Sequence, residues 1–274
     1  MSCKVWPFFF ILLFVNGVYA IDITRNIPYT YAGQQTLDLF MPDETGIPED
    51  MLRPAAIVIH AGGWSNGDST DIESMAAWFA NEGFVVINVN YALAPENKWP
   101  AQFADVIQGV WWLKKNAVRY NINPDKILAV GASAGGHLAA MLGQSSVNNL
   151  NAGIDSEIHG VVSFSGAWNL LEAVTEDQIF YISQMLAVDT PEARYLASPV
   201  YLINRHSPPV LIFHGTEDTL VPFQQSIYAC EVYATKGLDY CFLVPLEGHT
   251  HFSVVEPAIF VNAIRVFLNW WLAQ

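Results

Sequence analysis

Short runs rich in Val, Ile and Phe alternate with helix-length segments along most of this chain, and that alternation admits few folds. Strands are expected over 55–59, 84–89, 127–130, 160–164, 210–213 and 240–244. Between and after them, helical patterns cover 72–81, 101–116, 134–142, 223–236 and 256–272. Strands regularly separated by helices of this length make an α/β protein with a mostly parallel central sheet, helices covering both faces. Residues 22–40 read as an N-terminal antiparallel hairpin at one edge. No repeat, low-complexity tract or charged linker interrupts the pattern, so residues 21–274 are expected to form one domain. The apolar supply, 52% of 274 residues, suffices for a large core and excludes intrinsic disorder. In sheets of this kind, ligands bind at the carboxyl ends of the strands, and chemistry is sought there.

The first 20 residues follow a different logic. Lys4 precedes an unbroken apolar run from Phe8 to Val15, and Val18-Tyr19-Ala20 ends on a small residue. This is the layout of a secretory signal peptide cleaved after Ala20. A membrane anchor would need about 20 apolar residues, and Asn16-Gly17 interrupts the run well before that. Export to a secreted or periplasmic location is therefore expected, with no stable membrane span after cleavage. Cleavage would remove Cys3 and leave Cys230 and Cys241, which form either a disulfide or two buried thiols. The net charge of −14 disfavours contact with a phosphate backbone, so no nucleic-acid partner is expected. His159, His206 and His214 lack metal-ligand spacing, and neither a phosphate-binding loop nor a nicotinamide fingerprint is found. No metal or cofactor is expected.

Four stretches carry candidate chemistry. Gly131-Ala132-Ser133-Ala134-Gly135 lies between an apolar strand and a helix, the setting of a nucleophile elbow. Phe213-His214-Gly215-Thr216-Glu217-Asp218 follows another strand and supplies an acid, with Asp218 favoured over Glu217 by its spacing to Val221-Pro222. Glu247-Gly248-His249-Thr250-His251-Phe252 supplies the base; His251 is preferred and His249 is its rival. The order Ser133, Asp218, His251 is that of an α/β-hydrolase triad. A tetrahedral intermediate also needs donors for its oxyanion. His60-Ala61-Gly62-Gly63-Trp64 offers the amides of Gly62 and Gly63, joined by that of Ala134, and His60 is expected to brace the loop. Trp64 and Trp168 are candidate substrate-pocket residues. The tryptophan pairs at 111–112 and 270–271 are expected in the core.

With these motifs, the chain resembles the α/β-hydrolase superfamily, specifically compact carboxylesterases of the hormone-sensitive-lipase and feruloyl/acetylxylan-esterase type. The resemblance extends to Asn90-Tyr91-Ala92-Leu93-Ala94-Pro95-Glu96, close to the family's NYRLAPE run with Ala92 replacing Arg, and to Gly135-Gly136-His137-Leu138-Ala139. It implies an exported serine carboxylester hydrolase acting on small acyl or aryl esters through an acyl-enzyme. An amidase or small peptidase on the same triad is the alternative, since arylformamidases share this core. A non-catalytic hydrolase-like binding protein is a third reading, which the complete set of motifs disfavours. In this superfamily an excursion such as residues 168–195 often makes a lid or acyl-pocket wall; a packing helix pair is the other reading.

Overall fold

A computed structural model describes residues 21–31, 33–43, 45, 48, 51–146 and 155–274. The expected signal segment, residues 1–20, lies outside the described residues. Strands β1 (Asp22–Pro28) and β2 (Thr36–Met41) pair antiparallel, and β2 pairs antiparallel with β4 (Val85–Val89). Beyond β4 the sheet is wholly parallel, through β3 (Arg53–Ile59), β5 (Ile122–Ala132), β6 (Gly160–Phe164), β7 (Val210–Gly215) and β8 (Cys241–Leu246). The spatial order is β1-β2-β4-β3-β5-β6-β7-β8. The α/β class, mostly parallel sheet and edge hairpin expected from the sequence are all present.

The inner strands read as unbroken apolar runs because both faces are covered. Side chains alternate between the two sides: Ala55, Ile57 and Ile59 enter one core, while Ala56 and Val58 enter the other. Helices α2 (Ala101–Lys115), α3 (Ala134–Ser146) and α6 (Gln224–Thr235) contribute to the first core. Helices α1 (Glu73–Asn81) and α7 (Pro257–Leu272) close the second through Phe79, Phe260 and Trp271. Among the described residues no helix is long and apolar enough to cross a membrane.

Two local features differ from the sequence expectation. The first turn before α1 is a 3-10 turn over Ser69–Ile72, held by a reciprocal cap: Asp68 accepts from Thr70 N–H, and Asp71 accepts from Asp68 N–H. Strand β5 begins at Ile122, well ahead of the expected 127, because the polar Asn123-Pro124-Asp125 run masks its start. The tryptophan pairs also need correction, since only Trp271 of the four is buried and Trp270 is exposed. Helix α2 turns Phe103, Val106, Ile107, Val110 and Leu113 into the core and leaves both of its tryptophans half-buried. Trp111 instead lies under the Lys115 ammonium, 4.6 Å from the ring centre.

Residues 168–195 fold as a 3-10 turn (Leu170–Glu172) followed by α4 (Glu176–Met185) and α5 (Pro191–Leu196). Thr175 and Thr190 cap the two helices by accepting from the N–H groups of Gln178 and Ala193. Cys230 in α6 and Cys241 at the start of β8 are joined by a disulfide, with their Cα atoms 5.3 Å apart.

Candidate active site

Ser133 stands on the turn between β5 and α3 with a left-handed φ of +53°. Its N–H donates to the Phe164 carbonyl at the end of β6, 2.8 Å away. The flanking glycines are dictated by space. A Cβ on Gly131 would lie 2.2 Å from the Gly135 carbonyl oxygen, and one on Gly135 would lie 2.1 Å from that of Ile59. Any side chain at either place would open the turn that lifts Ser133 above the strand ends.

Asp218 follows β7, in the loop that leads to α6. Its Oδ1 accepts from the N–H groups of Leu220 and Val221 at 2.9 and 2.8 Å. Its Oδ2 lies 2.7 Å from His251 Nδ1, and His251 Nε2 lies 2.8 Å from Ser133 Oγ. The structure thus brings Ser133, Asp218 and His251 into one hydrogen-bonded line. Burial works to raise the Asp218 pKa, but hydrogen bonds from His214 and His251 outweigh it and hold the carboxyl well below its usual range. The rival residues lie off this line. Glu217 is exposed and uses its N–H on the His249 carbonyl, while His249 Nδ1 pairs with Ser253 Oγ at 3.1 Å.

His214 is a member of this network that the sequence reading passed over. Its Nε2 faces both the Val221 carbonyl at 2.8 Å and Asp218 Oδ2 at 3.1 Å, and its Nδ1 meets Ser226 Oγ at 2.6 Å. Both of the Nε2 partners accept only, so that nitrogen carries the proton and Ser226 donates to the other. Asp218 therefore sits between two imidazoles. The i,i+4 spacing of His214 and Asp218 was the available signal.

Gly62, Gly63 and Ala134 line the same cavity as Ser133 and His251. His60 braces their loop as expected, with Nδ1 on the Ala61 carbonyl at 2.7 Å and its ring stacked on Tyr91. Trp64 lines the cavity, and its indole N–H donates to His137 Nδ1 at 3.1 Å. His137 Nε2 in turn donates to the Ala197 carbonyl at the end of α5, at 2.7 Å. Burial pushes the His137 pKa down to about 4, which keeps the acceptor lone pair that Trp64 uses. The ring of Tyr181, from α4, covers Gly63 so closely that a Cβ there would be 2.4 Å from Cδ1.

The cavity measures about 200 Å³ and its walls are mainly apolar, among them Phe164, Leu170, Ile182 and Val254. Helix α4 is a wall of it through Gln178, Tyr181 and Ile182, whereas no residue of α5 lines it. Trp168 is a correction: it is wholly buried in the core and does not line the cavity. Its backbone N–H is held by Gln225 Oε1 at 2.9 Å, and the neighbouring Ala167 and Leu170 reach the cavity instead. Among the described residues no cluster of His, Cys, Asp or Glu could hold a metal ion.

Comparison with known proteins places this geometry. The BD-FAE family model matches residues 37–232. The chain is 29% identical over 216 residues to Esterase LipQ of Mycobacterium tuberculosis, and 27% identical over 234 residues to Esterase LipC of the same organism. These alignments cover 74% and 79% of this chain but 51% and 58% of those proteins, so it spans about half the length of the curated relatives it matches. Among solved structures, a truncated carbohydrate esterase from gut microbiota superposes with a TM-score of 0.78 at 25% identity, covering 94% of this chain and 99% of that one. A thermophilic esterase from the Planctomycetes species Thermogutta terrifontis gives 0.73 at 25% identity, over 93% and 92% of the two chains. With three quarters of the sheet, the elbow and the acid loop inside the matched span, the chain belongs to the BD-FAE family and has the α/β-hydrolase fold.

Proposed function

We propose that this protein is a serine carboxylester hydrolase. The observation that carries the reading is the Ser133–His251–Asp218 line opening onto an apolar cavity. Ser133 Oγ attacks the ester carbonyl carbon while His251 Nε2 takes its proton; Asp218 Oδ2 accepts from His251 Nδ1–H and stabilises the imidazolium that forms. The N–H groups of Gly62, Gly63 and Ala134 receive the oxyanion. Collapse expels the alcohol, which takes the proton from His251. A water molecule then attacks the acyl-enzyme, giving its proton to His251, and Ser133 leaves with that proton as the acid is released.

The relatives support this assignment by name, as esterases. A Thermogutta terrifontis esterase structure holds propionate, and another is phosphorylated by paraoxon. A short acyl group suits the size and the apolar walls of this cavity, and the same reading makes Ser133 the site of organophosphorus modification. Export belongs to the proposal too, supported by the signal-like N-terminus and the Cys230–Cys241 bond.

The test is covalent labelling by a fluorophosphonate with peptide mapping, run beside rates on matched 4-nitrophenyl acetate and 4-nitroacetanilide. The expected result is one label on Ser133, lost in Ser133→Ala, and ester turnover far above amide turnover. Amide turnover equal to or above that of the ester would move the assignment to an amidase. An unlabelled protein without esterase activity would overturn it.

A further inference from the structure

Phe252 is 81% exposed, yet it lines the cavity that holds Ser133 and His251. Its ring stands perpendicular to the His251 imidazole, with the two ring centres 5.3 Å apart. The turn that carries it is pinned on both sides. Ser253 Oγ accepts from the Thr250 N–H at 3.1 Å and meets His249 Nδ1 at 3.1 Å, and the Ser253 N–H donates to the Thr250 carbonyl at 3.3 Å. A phenyl ring is thus held beside the base with most of its surface in contact with water.

Two arguments place the alcohol part of an ester against this ring. The leaving oxygen takes its proton from His251 Nε2 and so must come within hydrogen-bond reach of that nitrogen. The acyl substituent exchanges no proton with His251. The alcohol must also depart while the acyl group is still bonded to Ser133, which requires an open path. Phe164, Leu170 and Ile182, each at most 1% exposed, form the closed walls of the cavity, whereas Phe252 and Val255 border the outside.

The chemistry of this side selects among alcohols. Among the described residues that line the cavity there is no Lys, Arg, Asp or Glu, and the chain carries a net charge of −14. An anionic alcohol would find no cation here. Val254 and Val255, beside Phe252 on the cavity wall, are apolar. Covering an exposed phenyl ring with apolar surface is favourable, and a second aromatic ring adds offset-stacked or edge-to-face contact.

We propose that Phe252 is a specificity-determining residue on the alcohol side of the cavity, and that the preferred substrates are esters of uncharged aromatic alcohols. The ring of the alcohol packs on Phe252 while the acyl group occupies the closed walls. This rests on the hydrolase reading given above.

Two isomeric esters test it, each measured relative to methyl acetate, which has no ring. Benzyl acetate carries the phenyl ring in its alcohol, and methyl phenylacetate carries the same ring in its acid. In Phe252→Ala the kcat/KM ratio of benzyl acetate to methyl acetate is expected to fall about tenfold, and that of methyl phenylacetate is expected to hold. Phe252→Tyr keeps the ring and should keep the benzyl acetate ratio. A benzyl acetate ratio unchanged in the alanine variant, or lowered as much in the tyrosine variant, would overturn the proposal and leave the hydrolase reading standing. So would an equal fall for methyl phenylacetate, or a wild-type protein that hydrolyses methyl acetate but not benzyl acetate. A wild-type protein inactive on all three esters would overturn both.

Discussion

Gly63→Ala is the sharpest test of how the proposed oxyanion loop is held. The new Cβ would sit 2.4 Å from Tyr181 Cδ1 and 2.7 Å from its Cγ. Carbon atoms in contact settle about 3.5–4.0 Å apart, so the overlap exceeds roughly 1 Å. Cγ is close to the root of the side chain, and a rotation of the ring cannot clear it; either χ1 of Tyr181 changes or the loop retreats. In the proposed mechanism this loop supplies oxyanion donors, which act only within about 2.7–3.1 Å of the oxygen. The expected loss in kcat is about 10²–10³-fold, that of one lost donor. A second, independent effect is backbone strain. Gly63 has φ of +58°, where an alanine costs about 1–2 kcal/mol. The two effects separate in the double variant Gly63→Ala/Tyr181→Ala. Removing the ring clears the clash and should restore most of kcat on 4-nitrophenyl acetate, whereas the strain and its lowered melting temperature remain. A double variant as slow as Gly63→Ala, beside an active Tyr181→Ala single variant, would refute the steric reasoning.

The base is tested by substitution: His251→Ala should lose about 10³-fold or more in kcat, and His249→Ala should retain most activity; the reverse pattern in initial rates would move the base. His137 predicts an acid limb in stability. Its pKa is lowered by burial to about 4, against about 6.5 in an unfolded chain. Between those values only the unfolded chain binds the proton, so stability is full above about pH 6.5 and falls by about 3 kcal/mol as the pH drops towards 4. Thermal melts across that range should show a flatter slope for His137→Gln; an unchanged slope would reject the assignment. Breaking the Cys230–Cys241 bond, which spans a sequence separation of 11, should cost about 3 kcal/mol and lower the melting temperature by roughly 6–10 °C. The rate at 25 °C should stay the same in Cys230→Ser/Cys241→Ser, because neither residue lines the cavity; a large drop in rate with an unchanged melt would contradict this.

The sequence by itself determined the order of strands and helices, because apolar periodicity and the Gly and Pro punctuation are local properties. The nucleophile elbow was legible for the same reason: Gly131, Ser133 and Gly135 lie within five residues, and their spacing encodes the turn. Spacing also favoured Asp218 over Glu217 and His251 over His249, although each pair is nearly equivalent in composition. Other features exist only once distant segments meet. Asp218 shares its carboxylate with His214 because the loop after β7 curls back on its own strand. Tyr181 lies on Gly63 although 118 positions separate them. Trp168 and Leu170 are near neighbours in the chain, but packing sends the indole into the core and the leucine to the cavity. Gln178 looks like any polar helix residue until α4 docks over Ser133 and leaves its Nε2 enclosed without an acceptor. Local chemistry is written in neighbouring residues, whereas burial and partnership depend on what the rest of the chain brings alongside, and only the tertiary structure decides that.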